Sequence, residues 1–316
     1  MKLQQLRYAV EVYRHNLNVS EAAEALFTSQ PGISKQIRLL EEELGIQIFI
    51  RSGKRVVSVS QPGKAVLEIA ERILRDVQNI KNIGNEFTDH DSGSFTVATT
   101  RTQARNVLPP IVAGFVQRYP KVNLVIKQGS PADIAQMVSS GEADLAIVTE
   151  RIDGHPELGR LPCYEWNHAV IVPHDHALLD CRNPLQLEDL AQFPLVTYEF
   201  AFNSGGSIAR AFQRARLEQP EVVLAAADTD VLKTYVRLGL GVGLMAKMAY
   251  DTAFDKDLQL VDAAHLFEPS PTWIAVRSDI YLRGYAYDFI ESFAPALTRE
   301  QVDRILYTPV MEDFSI

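Results

Sequence analysis

The sequence predicts an α+β winged helix-turn-helix head, a long linker helix and a larger α/β domain. Three observations lead to this fold class. Two short helices joined by a tight turn precede Gly45, and an unbroken amphipathic stretch runs from Ser60 to about Asn85. From Phe95 onward, short apolar strands alternate with helical segments, which is typical of an α/β domain.

The first 45 residues carry the start and stop signals of three helices. Leu3 to Asn16 shows apolar residues at a spacing of three to four, which predicts the first helix. Either Asn18 or Ser20 is suited to cap a second, short helix. A third helix is expected to start near Ser29 and to end at Gly45, a favourable residue beyond a helix C-terminus. The last two helices form the predicted helix-turn-helix.

Polar residues on the third helix and a basic β-wing predict contacts with duplex DNA. The stretches Gln47–Arg51 and Arg55–Val59 alternate in polarity and are joined by Ser52-Gly53-Lys54, so we expect a two-stranded wing. Hydroxyl, amide and basic side chains can bind base edges and phosphates. The predicted DNA-binding residues are Ser29, Gln30, Pro31, Ser34, Lys35, Arg38, Arg51, Lys54 and Arg55. The run Glu41–Glu43 is interpreted as a solvated face.

The long helix after the wing has an apolar stripe without an evident partner in the neighbouring sequence. We therefore expect it to pair with the same helix of a second chain, the alternative being that it packs on its own C-terminal domain. The residues predicted to form this dimer contact are Val66, Ile69, Ile73, Val77 and Ile80. The segment from Gly84 to Ser94 is rich in Asp, Gly, Ser and Thr and predicts a flexible linker.

The remaining pattern predicts mostly parallel sheets with helices on both faces. The expected strands are 95–100, 122–127, 143–149, 169–172, 195–198, 222–226, 242–245 and 272–276, and the expected helices are 103–118, 132–139, 207–216, 230–238 and 285–293. In such sheets ligands bind at the carboxyl ends of strands, next to helix N-termini. Thr100, Thr102 and Gln103 lie where the first strand meets the first helix, and Thr149 ends a neighbouring strand. Neutral donors of this kind can hold an anion reversibly.

Composition and motifs exclude several classes of protein. The net charge is −9, but residues 1–62 carry +2, which leaves −11 on the rest. No apolar run is long enough to span a membrane, and the N-terminus lacks a signal peptide, so we expect a cytoplasmic protein. Cys163, Cys181 and the seven histidines show no metal-ligand spacing, and His155 and His168 are expected in solvent or core positions. No catalytic motif is present, and we expect no enzyme activity and no cofactor.

The chain resembles the LysR-type transcriptional regulators, and within them the CysB-like regulators of sulfur assimilation and cysteine biosynthesis. The general match rests on Ala22–Leu26, Ser29–Ser34, Leu39-Leu40-Glu41 and Leu44-Gly45. The narrower match rests on Lys2–Tyr8, Ala98-Thr99-Thr100, Thr102–Arg105, Gln128–Pro131, Leu161–Tyr164 and Lys233–Gly241. It covers the chain from residue 1 to about 298.

The resemblance implies two α/β subdomains hinged like a periplasmic binding protein, with the effector between them. The expected boundaries are a winged helix-turn-helix at 1–60, a linker helix and hinge at 61–92, an effector domain at 93–300 and a tail at 301–316. Subdomain I is expected at 93–164 and 268–296, and subdomain II at 165–267. The resemblance maps anion ligands onto Thr100, Thr102, Gln103 and Thr149; a further family threonine falls near Asn203, where this sequence departs from the pattern. The effector-binding residues are thus expected to be Thr100, Thr102, Gln103, Thr149, Asn203, Ser204 and, near the hinge, Trp166.

The resemblance further implies promoter DNA and a small effector as partners, the effector being O- or N-acetylserine, sulfate or thiosulfate. It implies a homodimer through the linker helix, assembly into a homotetramer, and RNA polymerase as a further partner. Two alternatives stay open on sequence alone. One is a paralogous LysR-type regulator of another sulfur source, of the sulfonate or taurine type. The other is a cytoplasmic solute-binding protein, since function does not follow from fold.

Overall fold

The computed structural model describes residues 1–53, 55–149, 154–181, 184–199, 201–202 and 206–307. They form two compact units. The first unit comprises Met1–Asp89 and Asp279–Tyr281, and the second comprises His90–Ser278 and the residues from Leu282 onward. Within the described part of the chain, no helix is both long enough and apolar enough to cross a membrane.

The first unit is a winged helix-turn-helix followed by a long helix, as the sequence predicts. Its elements are α1 (Leu3–Arg14), α2 (Val19–Ala25), α3 (Gln30–Leu44), β1 (Phe49–Ser52), β2 (Arg55–Val59) and α4 (Gln61–Thr88). Helices α2 and α3 begin at side-chain caps: Asn18 accepts from the backbone N–H groups of Ser20 and Glu21, and Ser29 accepts from that of Gly32. Gly45, at φ +67°, ends α3 in a left-handed conformation.

The apolar stripe of α4 has a partner within its own unit, which corrects the expectation that it lacks one. Leu67 and Ala70 are buried in the core of the first unit, and Val66 and Ile73 pack against that core. The start of α4 lies so close to the backbone of Ile48 that only glycine fits at position 63. A Cβ on Gly63 would lie 2.2 Å from the carbonyl oxygen of Ile48. The first half of α4 therefore completes the core of α1, α2 and α3.

The segment Gly84–Ser94 is not the flexible linker that its composition predicted. Helix α4 continues to Thr88, whose hydroxyl donates to the carbonyl of Gly84 at 3.0 Å. The first strand of the second unit begins at Ser92, which pairs with Lys121. Regular backbone hydrogen bonding thus outweighs the low helix and strand propensities of glycine, serine and aspartate at these positions.

The second unit contains two five-stranded sheets with helices around them. Its strands are β3 (Ser92–Thr99), β4 (Lys121–Gln128), β5 (Leu145–Val148), β6 (Leu158–Trp166), β7 (His168–Pro173), β8 (Leu195–Tyr198), β9 (Val222–Ala226), β10 (Val242–Ala246), β11 (Leu258–Asp262) and β12 (Ser270–Arg277). Its α-helices are α5 (Arg101–Asn106), α6 (Leu108–Arg118), α7 (Pro131–Ser139), α8 (Leu187–Leu190), α9 (Ser207–Ala215), α10 (Thr229–Arg237), α11 (Gly284–Phe293) and α12 (Arg299–Tyr307).

The two sheets define two lobes. The first lobe is built on the order β4-β3-β5-β12-β6, and the second on the order β11-β7-β10-β8-β9. The chain leaves the first lobe at the end of β6, enters the second at β7, and returns through the segment between β11 and β12. The α/β domain of two subdomains is confirmed as a fold class.

The prediction of mostly parallel sheets is wrong. In the first lobe β3 pairs parallel with β4 and β5, but β12 pairs antiparallel with β5 and β6. In the second lobe β8 pairs parallel with β9 and β10, but β7 pairs antiparallel with β10 and β11. The antiparallel strands are those that carry the chain between the lobes, so they need no helical crossover.

Several elements were not expected from the sequence. They are β6, β11, α8 and α12. Helix α12 covers part of the segment expected as a tail, and its Val302 and Leu306 are buried. The single helix expected at 103–118 is two helices that meet at Val107, because the prolines that follow Leu108 suit a new first turn rather than a helix interior.

Candidate functional sites

The outward face of α3 presents the polar side chains that the sequence singled out. Ser29, Gln30, Pro31, Lys35 and Arg38 are exposed, and Ser34 is half-buried. The Gln30 amide donates to the Ser34 hydroxyl at 3.3 Å. The opposite face of the helix is buried in the core through Ile33, Ile37 and Leu40. The polar face is therefore free to receive a partner such as the major groove of DNA.

The wing contributes less charge to this surface than was expected. Arg55 is exposed, whereas the guanidinium of Arg51 lies 2.8 Å from the carboxylate of Glu41 and donates to the carbonyl of Phe49. Arg51, which the sequence predicted as a DNA-binding residue, is thus engaged in an ion pair within its own unit. Lys54 lies outside the described residues.

Glu41 is a buried structural residue, which corrects its interpretation as part of a solvated acidic face. Its side chain is 8% exposed and accepts from the backbone N–H groups of Ile48 and Phe49 at 2.9 and 3.0 Å. Together with the ion pair to Arg51, these bonds attach the wing to α3. Glu42 and Glu43, by contrast, are exposed. Nothing in the local sequence distinguishes the three carboxylates.

The residues expected to form a dimer contact on α4 divide into two groups. Val66 and Ile73 are half-buried against the core of their own unit. Ile69 and Ile80 are 49% and 69% exposed, and Val77 is half-buried. Ile83 and Phe87, further along the helix, are also exposed, Phe87 at 84%. The exposed apolar residues therefore extend toward the C-terminal half of α4.

A cleft of about 240 Å³ lies between the two lobes of the second unit. Its described lining residues come from the carboxyl ends of β3, β4 and β5 in the first lobe and of β8, β9 and β10 in the second, as expected for α/β sheets. They are Thr100, Arg101, Thr102, Gln103, Gln128, Gly129, Ser130, Pro131, Thr149, Trp166, Tyr198, Glu199, Ala227, Asp228, Ala246 and Met248. The cleft thus brings together Thr100, Thr102, Gln103, Thr149 and Trp166, all anticipated from the sequence; Asn203 and Ser204 lie outside the described residues.

Two hydrogen-bond donors of the lining are buried without a partner. Gln103 is completely buried, and its Oε1 accepts from the hydroxyl of Tyr164 at 2.8 Å, yet its Nε2 is unpaired among the described residues. The indole Nε1 of Trp166 is likewise unpaired there. Because buried donors are normally satisfied, an acceptor group of a ligand that reached either nitrogen would be stabilised there.

The threonines have different roles in the cleft wall. Thr100 caps α5 by accepting from the backbone N–H of Gln103 at 3.4 Å, which leaves its hydroxyl proton available. The hydroxyl of Thr102 lies 3.1 Å from that of Thr229, in the other lobe. Thr149 is half-buried at the end of β5. Thr100 and Thr149 are therefore better placed than Thr102 to donate to a ligand.

Charged pairs join the lobes along one edge of the cleft. The guanidinium of Arg101 lies 2.6 Å from the carboxylate of Asp228, and Arg105 pairs with Asp230. Arg101 and Arg105 belong to α5 of the first lobe, whereas Asp228 and Asp230 lie at the N-terminus of α10 in the second. Sequence analysis missed Asp228 and Glu199, although each directly follows or lies near the end of a parallel strand, the same signal that led to Thr100 and Thr149.

His168, at the passage between the lobes, is a core residue as expected. It is 5% exposed, and its ring lies 4.7 Å from that of Trp166 and 5.5 Å from that of Phe267. Burial lowers the pKa of His168 to about 4, so the imidazole is neutral at physiological pH. Burial similarly raises the pKa of Cys163 to about 12, which keeps that thiol protonated and unreactive.

Comparison with known proteins accounts for both units. Residues 3–64 match the helix-turn-helix model of bacterial regulatory proteins of the lysR family, and residues 88–298 match the LysR substrate binding domain. The chain belongs to the LysR family of transcriptional regulators. This LysR-family chain is therefore a DNA-binding transcriptional regulator with an effector-binding domain, and not an enzyme.

Individual relatives cover nearly the whole chain. Identity is 48% over 306 residues both to the regulator SsuR and to the regulator CysB of Burkholderia cenocepacia; each comparison covers 97% of this chain, and 99% and 97% of the respective relative. Among solved structures, the cofactor-binding domain of the Cbl transcriptional regulator is similar at 38% identity with a TM-score of 0.64. This comparison covers 69% of this chain and 95% of the Cbl domain. The regulator function agrees with the prediction from sequence, and the solute-binding alternative is not supported.

Proposed function

We propose that this LysR-family regulator controls genes of sulfur assimilation and cysteine biosynthesis in response to acetylserine or a sulfate-like anion bound in the inter-lobe cleft. The observation that carries the effector site is the pair of buried, unpaired donors, Gln103 Nε2 and Trp166 Nε1. An unsatisfied buried donor costs about 1–3 kcal/mol, so a ligand oxygen that accepts from it recovers that loss. Homology to CysB and SsuR supports the sulfur-related gene set.

The neutral character of these donors supports a sensing role. A hydroxyl from Thr100 or Thr149 and the amide of Gln103 can bind an oxyanion or a carboxylate without a salt bridge. Such binding is reversible at metabolite concentrations. Asn203 and Ser204 remain proposed ligands on the basis of the family pattern alone.

The DNA-binding surface is proposed to be the exposed face of α3 together with Arg55 of the wing. Lys35 and Arg38 would neutralise phosphates, and Ser29, Gln30 and Ser34 would read or position bases. All except the half-buried Ser34 are exposed in the first unit.

A second copy of the chain is proposed as a further partner through α4. Ile69 and Ile80 are exposed apolar residues on one long helix, and Ile83 and Phe87 extend the exposed apolar surface. Burying them between two chains would stabilise a homodimer, which would assemble into a tetramer as the resemblance implies. We place the protein in the cytoplasm, with promoter DNA and RNA polymerase as its macromolecular partners.

Effector control is proposed to act by a population shift. A ligand that binds one arrangement of the lobes more tightly increases the fraction of molecules in that arrangement. If that arrangement differs in its affinity for DNA, the effector changes promoter occupancy, and DNA changes effector affinity by the same factor.

Calorimetric titration of the full chain tests the effector site. The compounds are O-acetylserine, N-acetylserine, sulfate, thiosulfate and adenosine phosphosulfate, each added to the wild-type protein, to Gln103→Leu and to the control Gln213→Leu. Gln213 is exposed on α9 and outside the cleft. We expect at least one compound to bind the wild type and the control, and to bind Gln103→Leu about tenfold more weakly or worse. Binding that is unaffected by Gln103→Leu, or no binding at all, would contradict the proposal.

A second candidate is a regulator of another sulfur source, such as sulfonates. The equal identity to SsuR and CysB of one organism favours neither gene set over the other. Transcript measurements after deletion of the gene, in cells grown with sulfate or with taurine as the sulfur source, distinguish the two. Changes confined to cysteine biosynthesis genes support the first candidate, and changes confined to sulfonate-utilisation genes support the second.

A further inference from the structure

The charged residues of the cleft are not arranged for a simple inorganic anion. The ionisable side chains among the described lining residues are those of Arg101, Glu199 and Asp228. Arg101 and Asp228 are paired at 2.6 Å and largely compensate each other. Glu199 has no hydrogen-bond or ion-pair partner among the described residues, so the described lining carries one uncompensated negative charge.

The fold fixes the position of Glu199. It directly follows Tyr198, the last residue of β8. The side chain of Tyr198 is buried; its hydroxyl lies 3.0 Å from that of Thr229 and accepts from the backbone N–H of Ala246 at 3.3 Å. The residue next to Glu199 is therefore held in place through its hydroxyl, and Glu199 is an exposed residue of the cleft lining.

The two sides of the cleft therefore offer opposite chemistry. Gln103 and Trp166, which belong to the first lobe, provide the unpaired buried donors, and Gln103 is completely buried. Glu199, from the second lobe, provides only acceptors. A ligand that satisfies both sides carries an oxygen acceptor at one end and a cation at the other.

We infer that the cleft binds a small zwitterion with a free ammonium group, and that Glu199 is the residue that selects for this group. The inference rests on the proposed effector function of the cleft. The carboxylate or carbonyl oxygen of the ligand accepts from Gln103 and Trp166, and its ammonium group donates to Glu199. A charge-assisted hydrogen bond of this kind is stronger than a neutral one. Sulfate has no donor for Glu199 and is disfavoured by the like charge.

A pair of isomers tests this inference on the full chain. O-acetyl-L-serine and N-acetyl-L-serine contain the same atoms, but only the O-acetyl form has a free ammonium group. Calorimetric titrations at mildly acidic pH, in a buffer without sulfate or phosphate, keep the amine protonated and so slow the migration of the acetyl group from oxygen to nitrogen. Sulfate is the third probe. The variant is Glu199→Gln, and the control is Glu218→Gln, an exposed glutamate outside the cleft.

We expect the wild type and Glu218→Gln to bind the O-acetyl isomer about tenfold or more tightly than the N-acetyl isomer, and more tightly than sulfate. Glu199→Gln is expected to lose this preference and to bind sulfate more tightly than the wild type does. The variant retains the size of the side chain and one acceptor oxygen, but it replaces the negative charge and the second acceptor by an NH2 donor, so its effect reports the loss of the carboxylate.

The outcomes separate this inference from the proposed function. Equal affinity for the two isomers, preferential binding of sulfate, or a preference that survives in Glu199→Gln would overturn the role of Glu199, while binding that depends on Gln103 would still support an effector cleft. If none of the three probes binds the wild type, both the inference and the proposed acetylserine or sulfate effector are overturned.

Discussion

The hydroxyl of Thr102 lies 3.1 Å from the hydroxyl of Thr229, and the two residues belong to opposite lobes of the second unit. The pair of Arg101 with Asp228 and the pair of Arg105 with Asp230 flank this contact. Thr102, which the family pattern assigns to the ligand, therefore also takes part in holding the lobes together. We therefore expect cleft geometry and ligand binding to be coupled at this edge.

The contacts between the lobes predict a moderate effect on effector affinity. Arg105 does not line the cleft, and its pair with Asp230 is about half exposed. Replacing Arg105 by Ala is expected to weaken effector binding by about 1.5- to fivefold. Exposed pairs contribute about 0.2–1 kcal/mol, and this one favours the arrangement in which both lobes line the cleft. Calorimetric titration with the tightest-binding compound measures this change in effector affinity. Arg304→Ala, which removes an exposed pair within α12, is the control. Equal affinities of both variants and the wild type would refute this coupling.

Glu41 is expected to be essential for the stability of the first unit. Its replacement by Ala leaves two buried backbone N–H groups and the guanidinium of Arg51 without their acceptor. We expect a loss of roughly 3 kcal/mol in the free energy of unfolding. Glu42→Ala, at the exposed neighbouring position, is expected to change it by less than about 0.5 kcal/mol. Thermal unfolding followed by circular dichroism measures both; similar melting curves for the two variants would contradict the structural role.

Lys35 is expected to contact DNA phosphate. Its replacement by Ala should weaken binding to operator DNA, selected by the protein from a random library, and should reduce the slope of log affinity against log salt by about 1. Lys121, exposed in the second unit, provides the control variant Lys121→Ala. Fluorescence anisotropy at several salt concentrations measures the slopes. A wild-type slope in Lys35→Ala would remove this residue from the contact surface.

The buried imidazole of His168 is expected to make the folded protein less stable at acidic pH. Its pKa in the folded protein is about 4 because of burial, below the value near 6.5 of the unfolded chain. Between these values the unfolded state binds the additional proton, so stability decreases as the pH falls. The contribution of His168 should decrease by about 2 kcal/mol from about pH 7 to about pH 5.

Urea unfolding of the wild type and of His168→Phe, followed by tryptophan fluorescence, isolates this contribution. The chain has two tryptophans, Trp166 and Trp273, and both lie in the second unit. The variant is expected to lose less stability on acidification than the wild type. His90→Asn, at an exposed position, should behave like the wild type. An identical pH dependence of His168→Phe and wild type would show that the imidazole is not buried in its neutral form.

The sequence predicts those features that depend on local signals. The caps at Asn18, Ser29 and Ser60 and the glycine at position 45 define helix ends within one or two residues. The family resemblance and the rule that ligands bind at the carboxyl ends of parallel strands both pointed to Thr100 and Thr149, and both residues line one cleft. These predictions succeed because neighbours in the sequence, or a general property of parallel sheets, determine the outcome.

Features that depend on distant contacts could not be predicted in this way. Strand β6 contains Gly159 and Pro162, two residue types that are rare in strands, so its sequence does not predict a strand. It is a strand because it pairs with β12, more than a hundred residues later. Glu41 is indistinguishable from Glu42 in the sequence and is buried only because the wing folds back onto α3. Glu199 follows a strand end just as Thr149 does, so the same rule could have identified it.

The most direct test of the account is the affinity for operator DNA with and without O-acetyl-L-serine, measured by fluorescence anisotropy on the wild type and on Gln103→Leu. The account predicts that saturating effector changes the wild-type affinity by about fivefold or more, as is typical of allosteric coupling. Gln103→Leu should bind operator DNA like the effector-free wild type and should not respond to the effector. An operator affinity of the wild type that stays the same at saturating effector would contradict the central claim that the cleft between the lobes controls DNA binding.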